Sequence, residues 1–237
     1  MKEKKNSVFW NGFRDMGPAE WVMFAAMILI GGYYMFTDKS HPSWYLAVNY
    51  VSSIAGVCCI FLCAHASWPN WIFAIVNTAL YILVLWYNRV YGTMLLELLY
   101  YMPTNILGII HWRKNLDDRG EDKCRTKVLS TKEKILMALI VGGSTVVYHE
   151  LLVRAGGATA WLDALTVAIG IIATWYEIRR YADQYLLWLV TDVIAVIQWV
   201  MLGDLIMITK KSIYLVMAAV GLANWIRLQK EHNAQNV

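Results

Sequence analysis

The chain has 237 residues, of which 59% are hydrophobic and only 16% are charged. Because soluble domains carry about 25% charged residues, this composition excludes an ordinary soluble protein and favours a polytopic helical membrane protein. The formal net charge of +4 does not indicate nucleic-acid binding, since the basic residues collect in short segments between apolar stretches.

The apolar stretches predict the membrane spans. A spanning helix needs about 20 predominantly apolar residues, and eight segments approach that length. In chain order the predicted spans are Ala19–Phe36, Tyr45–Ala66, Trp71–Tyr87, Val90–Trp112, Ile135–Val153, Trp161–Ile178, Gln184–Leu202 and Ser212–Leu228. The breaks between them carry turn residues or charges, as at 37–42 and 67–70.

Basic residues are distributed unevenly among the predicted loops. With the N-terminus in the cytoplasm, most of the 21 Lys and Arg residues fall on the cytoplasmic side. The opposite side then holds Lys39, Arg89, Arg154, Lys210 and Lys211. By the positive-inside rule, we expect a cell-membrane protein with both termini and the charged loop Arg113–Lys134 in the cytoplasm.

The two halves of the chain resemble each other at an offset of about 114 residues. Gly56 falls on Gly170, and Asn77 falls on Asp192. Likewise, Tyr101, Gly108 and Trp112 fall on Tyr214, Gly221 and Trp225. Spans two to four thus pair with spans six to eight, and span five is a connector that gives both three-helix units the same orientation. The predicted fold is all-α, with eight spans in a SWEET-like 3+1+3 parallel repeat and one extra N-terminal helix.

This repeat divides the chain into five parts. Residues 1–44 form an N-terminal tail and the extra helix, and residues 45–112 form the first three-helix unit. Residues 113–159 contain the cytoplasmic loop and the connector, residues 160–230 form the second unit, and residues 231–237 form a tail.

Two acids, Glu97 and Asp192, lie inside predicted spans. A carboxylate near the centre of a bilayer costs roughly 2.5–3.5 kcal/mol on insertion scales, so it faces a cavity or a partner and indicates a substrate or ion pathway. Both acids have Trp, Tyr and Asn nearby in the sequence. Aromatic faces hold flat rings by stacking and hold cations through the ring quadrupole, so this mixture suits a flat organic cation.

Helical spacing places further candidates with Glu97. One face of its helix carries Glu97, Tyr101, Asn105, Gly108 and Trp112. Gly108 and Trp112 on this face are interpreted as packing residues. Pro103 interrupts the same helix, which membrane proteins tolerate beside a cavity.

The middle helices of the two units present Asn77 and the pair Trp188 and Asp192. An alternative interpretation is a structural hydrogen bond between Asn77 and Asp192. Asn224 either closes a pocket or caps a helix end, and both options stay open. The candidate substrate-binding set is Trp188, Asp192, Asn77, Glu97, Asn105, Tyr101, Tyr214 and Asn224.

Several motifs are absent from the sequence. The histidines are scattered and form no H-E-x-x-H pattern, which argues against a zinc enzyme. The chain contains no G-x-x-x-x-G-K phosphate loop and no G-x-S-x-G elbow. We therefore expect no metal, no cofactor and no enzymatic activity. A membrane-embedded enzyme and a ligand sensor are the alternatives from other classes.

Taken in order, several stretches resemble the PnuC family of vitamin transporters across roughly Ala47 to Leu228. The resembling stretches are Ser67–Trp71, Asn77–Tyr81, Leu98–Gly108 with Trp112–Lys114, Leu162–Thr166, Tyr185–Asp192, and Ser212–Val216 with Asn224–Trp225. The chain departs from the family pattern at Glu97, where many relatives have Gln, and at Tyr185, where Trp is common.

The resemblance implies a seven-helix core, a homotrimer and energy-independent, alternating-access transport of nicotinamide riboside. Uptake is expected to become one-way when a cytoplasmic kinase phosphorylates the riboside. Because other relatives carry thiamine or riboflavin, these vitamins are the alternative substrates. Nicotinamide riboside ranks first, because its ring is cationic and its ribose hydroxyls suit Asn77, Asn105 and Asn224.

Overall fold

The structure, a computed structural model, describes residues 12–116, 124–154 and 160–235. Within these ranges the chain is helical and forms only isolated β-bridges, Leu116 with Cys124 and Lys127 with Tyr181. Parts of the predicted cytoplasmic loop (117–123), the segment 155–159 and both chain ends lie outside the described residues.

Long apolar helices make up nearly all of the described chain. By length and composition seven of them can cross a membrane. In an eighth helix the apolar part, Ala164–Ile178, is shorter. This confirms the predicted all-helical, multi-pass membrane protein. In order, the elements are α1 (Pro18–Thr37), α2 (Ser43–Ala64), α3 (Asn70–Tyr87), α4 (Tyr91–Leu96), a π-helical turn (Glu97–Tyr101), α5 (Met102–Arg113), α6 (Thr131–Arg154), α7 (Ala160–Ile178), α8 (Gln184–Leu202) and α9 (Leu205–Gln235).

The last helix departs most from the predicted boundaries. The sequence predicts a span over Ser212–Leu228 with Lys210 and Lys211 in the loop before it, but the helix runs over Leu205–Gln235. Both lysines therefore lie inside the helix, and their assignment to a loop was wrong. A hydropathy pattern ends a span at adjacent charges, whereas the backbone here continues through them.

Asp204 determines where α9 begins. Its Oδ1 atom accepts the backbone N–H of Met207 at 2.9 Å, which satisfies one of the free donors of the first turn. Its Oδ2 atom accepts the hydroxyl of Tyr45 at 2.6 Å and the side-chain amide of Asn49 at 2.7 Å. The start of α9 is thereby fixed to α2.

A π-helical turn joins α4 to α5 beside Pro103. The backbone N–H of Met102 donates to the carbonyl of Glu97, which widens the helix by one residue. Proline lacks an N–H and clashes with the carbonyl four residues earlier, so the wider turn accommodates the ring. The sequence predicts an interruption of the helix at Pro103, and the structure places the irregular turn at Glu97–Tyr101.

The two halves of the chain make matching close contacts. A Cβ atom at Gly108 would overlap the indole ring of Trp71, and a Cβ atom at Gly221 would lie 2.5 Å from the ring of Tyr185. Glycine at these two positions lets an aromatic ring lie directly on a helix backbone. The same packing therefore occurs once in each half.

A second pair of matching contacts crosses between the halves. The indole N–H of Trp112 donates to the carbonyl of Glu177 at 3.0 Å, and the indole N–H of Trp225 donates to the carbonyl of Cys63 at 2.8 Å. Both indoles are fully buried. Each half thus donates one buried hydrogen bond to the other.

The extra N-terminal helix α1 packs against α2 and α9. Met27 is fully buried in this contact, and the carboxylate of Glu20 lies 3.0 Å from the His65 ring at the end of α2. The outward face is apolar and exposed, including Val22, Leu29, Tyr33 and Phe36. The helix is therefore docked on the core along one side, and its other side suits lipid or another subunit.

The segment 124–130 lies across one end of the bundle, called here the linker face, which is formed by residues 65–69, 124–130 and 179–183. The backbone N–H of Cys124 donates to the carbonyl of Ala66 at 2.9 Å, and that of Lys127 donates to the carbonyl of Arg180 at 2.8 Å. The segment 124–130 therefore hydrogen-bonds to a loop of each half, at Ala66 in the first and at Arg180 in the second.

Candidate functional site

Glu97 belongs to a buried hydrogen-bond chain in the first half. Oε2 of Glu97 accepts the Thr78 hydroxyl at 3.1 Å, and the Thr78 oxygen accepts the side-chain amide of Asn105 at 3.2 Å. All three residues are at most 9% exposed. The π-helical turn carries Glu97, so the irregular backbone places the carboxylate against α3.

Asn77 is bound by a lysine rather than by Asp192. Nζ of Lys210 donates to Oδ1 of Asn77 at 2.7 Å, and Lys210 is only 1% exposed. The same ammonium lies 4.6 Å from the ring centre of Tyr81 and 5.8 Å from that of Tyr214. Among the described residues no hydrogen bond joins Asn77 to Asp192, so the predicted alternative pairing of these two side chains was wrong.

Asp192 forms an ion pair with the second lysine of the cluster, Lys211. Its Oδ1 atom lies 3.9 Å from Nζ of Lys211, and this ammonium lies 5.0 Å from the ring centre of Tyr214. The carboxylate is buried, with a side-chain exposure of 6%, against 17% for Lys211. The predicted combination of an acid and an aromatic face is present, and a cation of the chain itself occupies it.

Gly56 allows α2 to approach this cluster. A Cβ atom at this position would lie 2.7 Å from Cε of Lys210 and 2.9 Å from Oδ1 of Asn77, and it would overlap the Tyr214 hydroxyl. The corresponding glycine, Gly170, meets the Tyr101 hydroxyl in the same way. Both predicted tyrosines therefore reach across to the other half.

Trp188 points its polar edge toward the linker face. Its indole N–H donates to Oε1 of Gln184 at 3.3 Å. The Glu177 carboxylate accepts the thiol of Cys63 at 3.4 Å. Trp188 and Asp192 share one face of α8, with the indole N–H directed toward Gln184 at the start of the helix.

The structure thus brings together most of the predicted set. Glu97 and Asn105 are joined through Thr78, while Asn77, Asp192 and Tyr214 are joined through the two lysines. Asn224 precedes Trp225 in α9 and has no hydrogen bond to this cluster among the described residues.

Sequence reasoning missed Thr78, Glu177, Lys210 and Lys211. Glu177 lies inside the predicted span Trp161–Ile178, so the rule that flagged the other two intramembrane acids also applies to it. The lysines were missed because the last span was predicted to begin at Ser212, which assigned both of them to a loop. Thr78 carries no signal, because threonine is common in membrane helices.

The cluster can bind charge and planar rings but lacks a metal-binding arrangement. Within the described ranges no three His, Cys, Asp or Glu side chains converge to hold a metal ion. Buried carboxylates, hydroxyls, amides and two aromatic faces instead suit an organic ligand with a positive ring and several hydroxyl groups.

An open cavity of about 480 Å³ lies elsewhere, between α1 and the start of α2. Asp38 and His41 line it, with 2.6 Å between a carboxylate oxygen and Nδ1 of the ring. Burial raises the pKa of Asp38, but hydrogen bonds from Ser40 and His41 outweigh burial and hold the pKa at about 2. This carboxylate is a fixed anion outside the predicted site.

Comparisons with known proteins agree on one family. The profile of the nicotinamide mononucleotide transporter family matches residues 46–227. The chain is 27% identical over 226 residues to the nicotinamide riboside transporter PnuC of Neisseria mucosa, with 91% of this chain and 85% of the relative covered. It is 26% identical to the protein of the same name from Haemophilus influenzae, with coverages of 90% and 92%.

Solved structures give the same result. A crystal structure of the vitamin B3 transporter PnuC superposes with a TM-score of 0.80 at 26% sequence identity, covering 94% of this chain and 98% of the other. The predicted family resemblance is confirmed, and so is the expectation of a transporter rather than an enzyme. The chain belongs to the nicotinamide mononucleotide transporter family.

Proposed function

We propose that the chain carries nicotinamide riboside across the cell membrane through the polar cluster between its two halves. The observation that carries the proposal is the combination of two buried acids, Asp192 and Glu97, with the Tyr214 ring. A pyridinium ring needs a negative partner and a π-face, and both are present. Relatives that match nearly the whole chain are named as transporters of this riboside.

We assign substrate contacts to the eight predicted residues by their chemistry. Asp192 and Glu97 balance the positive ring, and Trp188 with Tyr101 and Tyr214 supplies aromatic faces. In this assignment Asn77 and Asn105 bind ribose hydroxyls in exchange for their contacts with Lys210 and Thr78, and Asn224 serves the linker-face end of the path. Thiamine, also cationic and aromatic, is the second candidate, and uncharged riboflavin the third.

One observation favours a phosphorylated ligand as a further candidate. Lys210 is buried and has no carboxylate within 4.0 Å among the described residues. A buried cation is usually paired with an anion, and nicotinamide mononucleotide would provide a phosphate. The family description names this mononucleotide, whereas the named relatives carry the riboside.

A titration of the purified protein followed by Trp fluorescence ranks the four ligands. We expect the riboside to bind most tightly. Tighter binding of thiamine or of the mononucleotide would replace the riboside as substrate and leave the transporter class intact.

We infer alternating access without an energy source. The matching contacts of Trp112 and Trp225, and of Gly108 and Gly221, support a 3+1+3 parallel repeat of eight spans in which one unit rocks against the other. The boundaries 45–112 and 160–230 describe the two units. Phosphorylation by a cytoplasmic kinase would then trap the riboside inside.

The proposed topology places the linker face and both termini in the cytoplasm. The density of basic residues in the linker and beside it supports this orientation. A reporter fused after Val237 and another inserted within Leu116–Arg125 should both give cytoplasmic signals. An external signal from either reporter would contradict the eight-span topology.

A homotrimer is proposed as the assembly. The exposed apolar faces of α1 and α6 offer surfaces for lipid or subunit contact, including Leu29, Phe36, Leu139 and Val147. Light scattering of the purified protein, corrected for detergent, should give about three times the chain mass of 27.2 kDa. A mass of one chain would contradict the trimer.

Flux into sealed vesicles tests the function itself. Protein reconstituted into vesicles should move labelled nicotinamide riboside down its gradient with saturation and without chemical change. A modified product would indicate a membrane-embedded enzyme, and binding without flux would indicate a sensor. Either outcome would overturn the transporter proposal.

A further inference from the structure

Lys211 occupies the position where a substrate cation is expected. Its ammonium lies 3.9 Å from Oδ1 of Asp192 and 5.0 Å from the ring centre of Tyr214. A buried carboxylate and an aromatic face are the two groups that recognise a positively charged ring.

The two lysines of the cluster differ in how firmly they are held. Lys210 is 1% exposed, donates to Asn77 at 2.7 Å and lies over the Tyr81 ring at 4.6 Å. Lys211 has a side-chain exposure of 17%, and 3.9 Å to Asp192 is too long for a hydrogen bond. Lys211 can therefore leave its carboxylate more easily than Lys210 can leave its amide.

Lysine is suited to such a reversible contact. Its ammonium is a compact point charge on a flexible stem of four carbons, and it makes no fixed bidentate pairing with a carboxylate. Lys211 lies in the second turn of α9, near the end of the helix that Asp204 caps. A long side chain near a helix end can extend toward the aqueous interface.

We propose that Lys211 is a built-in competitor for the cation subsite, which its ammonium occupies in the empty transporter and leaves when a positively charged substrate binds. The proposal rests on the proposed function, because it requires an aromatic cation as ligand. It identifies Lys211 as a residue that sets affinity and charge selectivity without contacting the substrate in the bound state.

In a carrier without an energy source, this competition lowers the cost of the empty state. Such a carrier must return empty, and an unpaired carboxylate buried in the membrane is costly. With Lys211 on Asp192 the empty site keeps a neutralised carboxylate. A substrate cation takes the same place, so both the loaded and the empty protein can change conformation.

Two ligands that differ in ring charge test this proposal. Nicotinamide riboside carries a cationic pyridinium, and its 1,4-dihydro form has nearly the same shape with an uncharged ring. Removing a charge-assisted contact that competes with the ligand should tighten binding of the cation. For Lys211→Met we expect the Kd of nicotinamide riboside to fall about tenfold, with the Kd of the dihydro form unchanged.

The matched control is Lys230→Met, which removes an exposed lysine from the far end of the same helix. We expect this variant to bind both ligands as the parent does. Lys211→Gln provides a second variant that keeps a polar side chain, in case the methionine variant does not fold. It should shift the two Kd values in the same directions.

The Asp192→Asn variant provides a second test, because Lys211→Met can be added to it. In Asp192→Asn the carboxylate that holds Lys211 is gone, so adding Lys211→Met should change the Kd of the cation by less than about twofold. Weaker or unchanged binding of nicotinamide riboside by both Lys211 variants would overturn the proposal, as would equal tightening for the two ligands. Failure of the parent protein to bind nicotinamide riboside would instead contradict the proposed function.

Discussion

The half of the molecule formed by α2 to α5 and the half formed by α7 to α9 agree in their packing residues and differ in their polar ones. In the first half the Thr78 hydroxyl contacts Glu97, whereas in the second half Asp192, which falls on Asn77, forms an ion pair with Lys211 of the third helix. An acid on the third helix of one unit is thus replaced by a base in the other.

The packing contacts show no such difference. Trp112 and Trp225 each donate an indole N–H to a carbonyl of the opposite half, at Glu177 and Cys63. These two acceptor residues are themselves 114 positions apart. The contacts that hold the halves together are equivalent, while the residues at the centre make one side of the cluster an acid and the other an ion pair.

The largest effect is expected from filling a packing glycine. Gly108→Ala places a methyl group inside the indole of Trp71, which is buried and has little room to move. Overpacking of this kind typically costs about 1–3 kcal/mol, and we expect the upper end of that range. Thermal unfolding of the purified protein should show the loss.

A glycine in open space provides the control for Gly108→Ala. No atom lies within 4 Å of a Cβ built at Gly143, so Gly143→Ala should keep or slightly raise the unfolding temperature. Gly221→Ala, the counterpart in the second half, should destabilise the protein as Gly108→Ala does. An unchanged unfolding temperature for Gly221→Ala would show that the two halves are not packed equivalently.

Trp188 tests the half that carries Asp192. If its ring stacks on a desolvated cationic ligand, Trp188→Ala should weaken binding of nicotinamide riboside by roughly 1–2 kcal/mol. Asp192→Asn should leave the unfolding temperature near that of the parent, because it keeps the shape and because Lys211, with a side-chain exposure of 17%, can turn toward water. Calorimetric titration measures the first effect, and parent-like affinity in both variants would locate the pocket elsewhere.

The indoles of Trp112 and Trp225 test whether the two halves are held together in the same way. Trp112→Phe and Trp225→Phe each remove one buried hydrogen bond between the halves, worth about 1 kcal/mol. Because the two contacts are equivalent, we expect equal losses of unfolding free energy in denaturant titrations. A loss confined to one variant would mean that the two units are not held in the same way.

Much of this fold could be predicted from the sequence, because apolar segments of spanning length have few alternatives in a membrane. Most predicted spans agree with the helices to within a few residues. The two acids Glu97 and Asp192 were also identified, since a buried charge is costly enough to indicate function. Both facts depend on local composition alone.

The partners of those acids could not be predicted in the same way. Lys210 and Lys211 are adjacent charges at the end of an apolar stretch, where hydropathy predicts a loop. Their position inside α9 depends on the Asp204 cap and its bond to Tyr45, a contact between residues 159 positions apart. The site is therefore defined by tertiary contacts that no local pattern contains.

The smallest expected effect concerns matching turns at the ends of α3 and α8. Arg89 has a φ of 57° and Gly203, 114 positions later, has a φ of 72°, so both adopt the left-handed conformation in which a side chain is strained. Arg89 is exposed, and no atom lies within 4 Å of a Cβ built at Gly203, so backbone strain decides both substitutions. We expect Arg89→Gly to raise the unfolding free energy by less than about 1 kcal/mol and Gly203→Ala to lower it by about 1 kcal/mol. Thermal unfolding under identical conditions measures both, and shifts of the same sign would show that the two turns are held by different contacts.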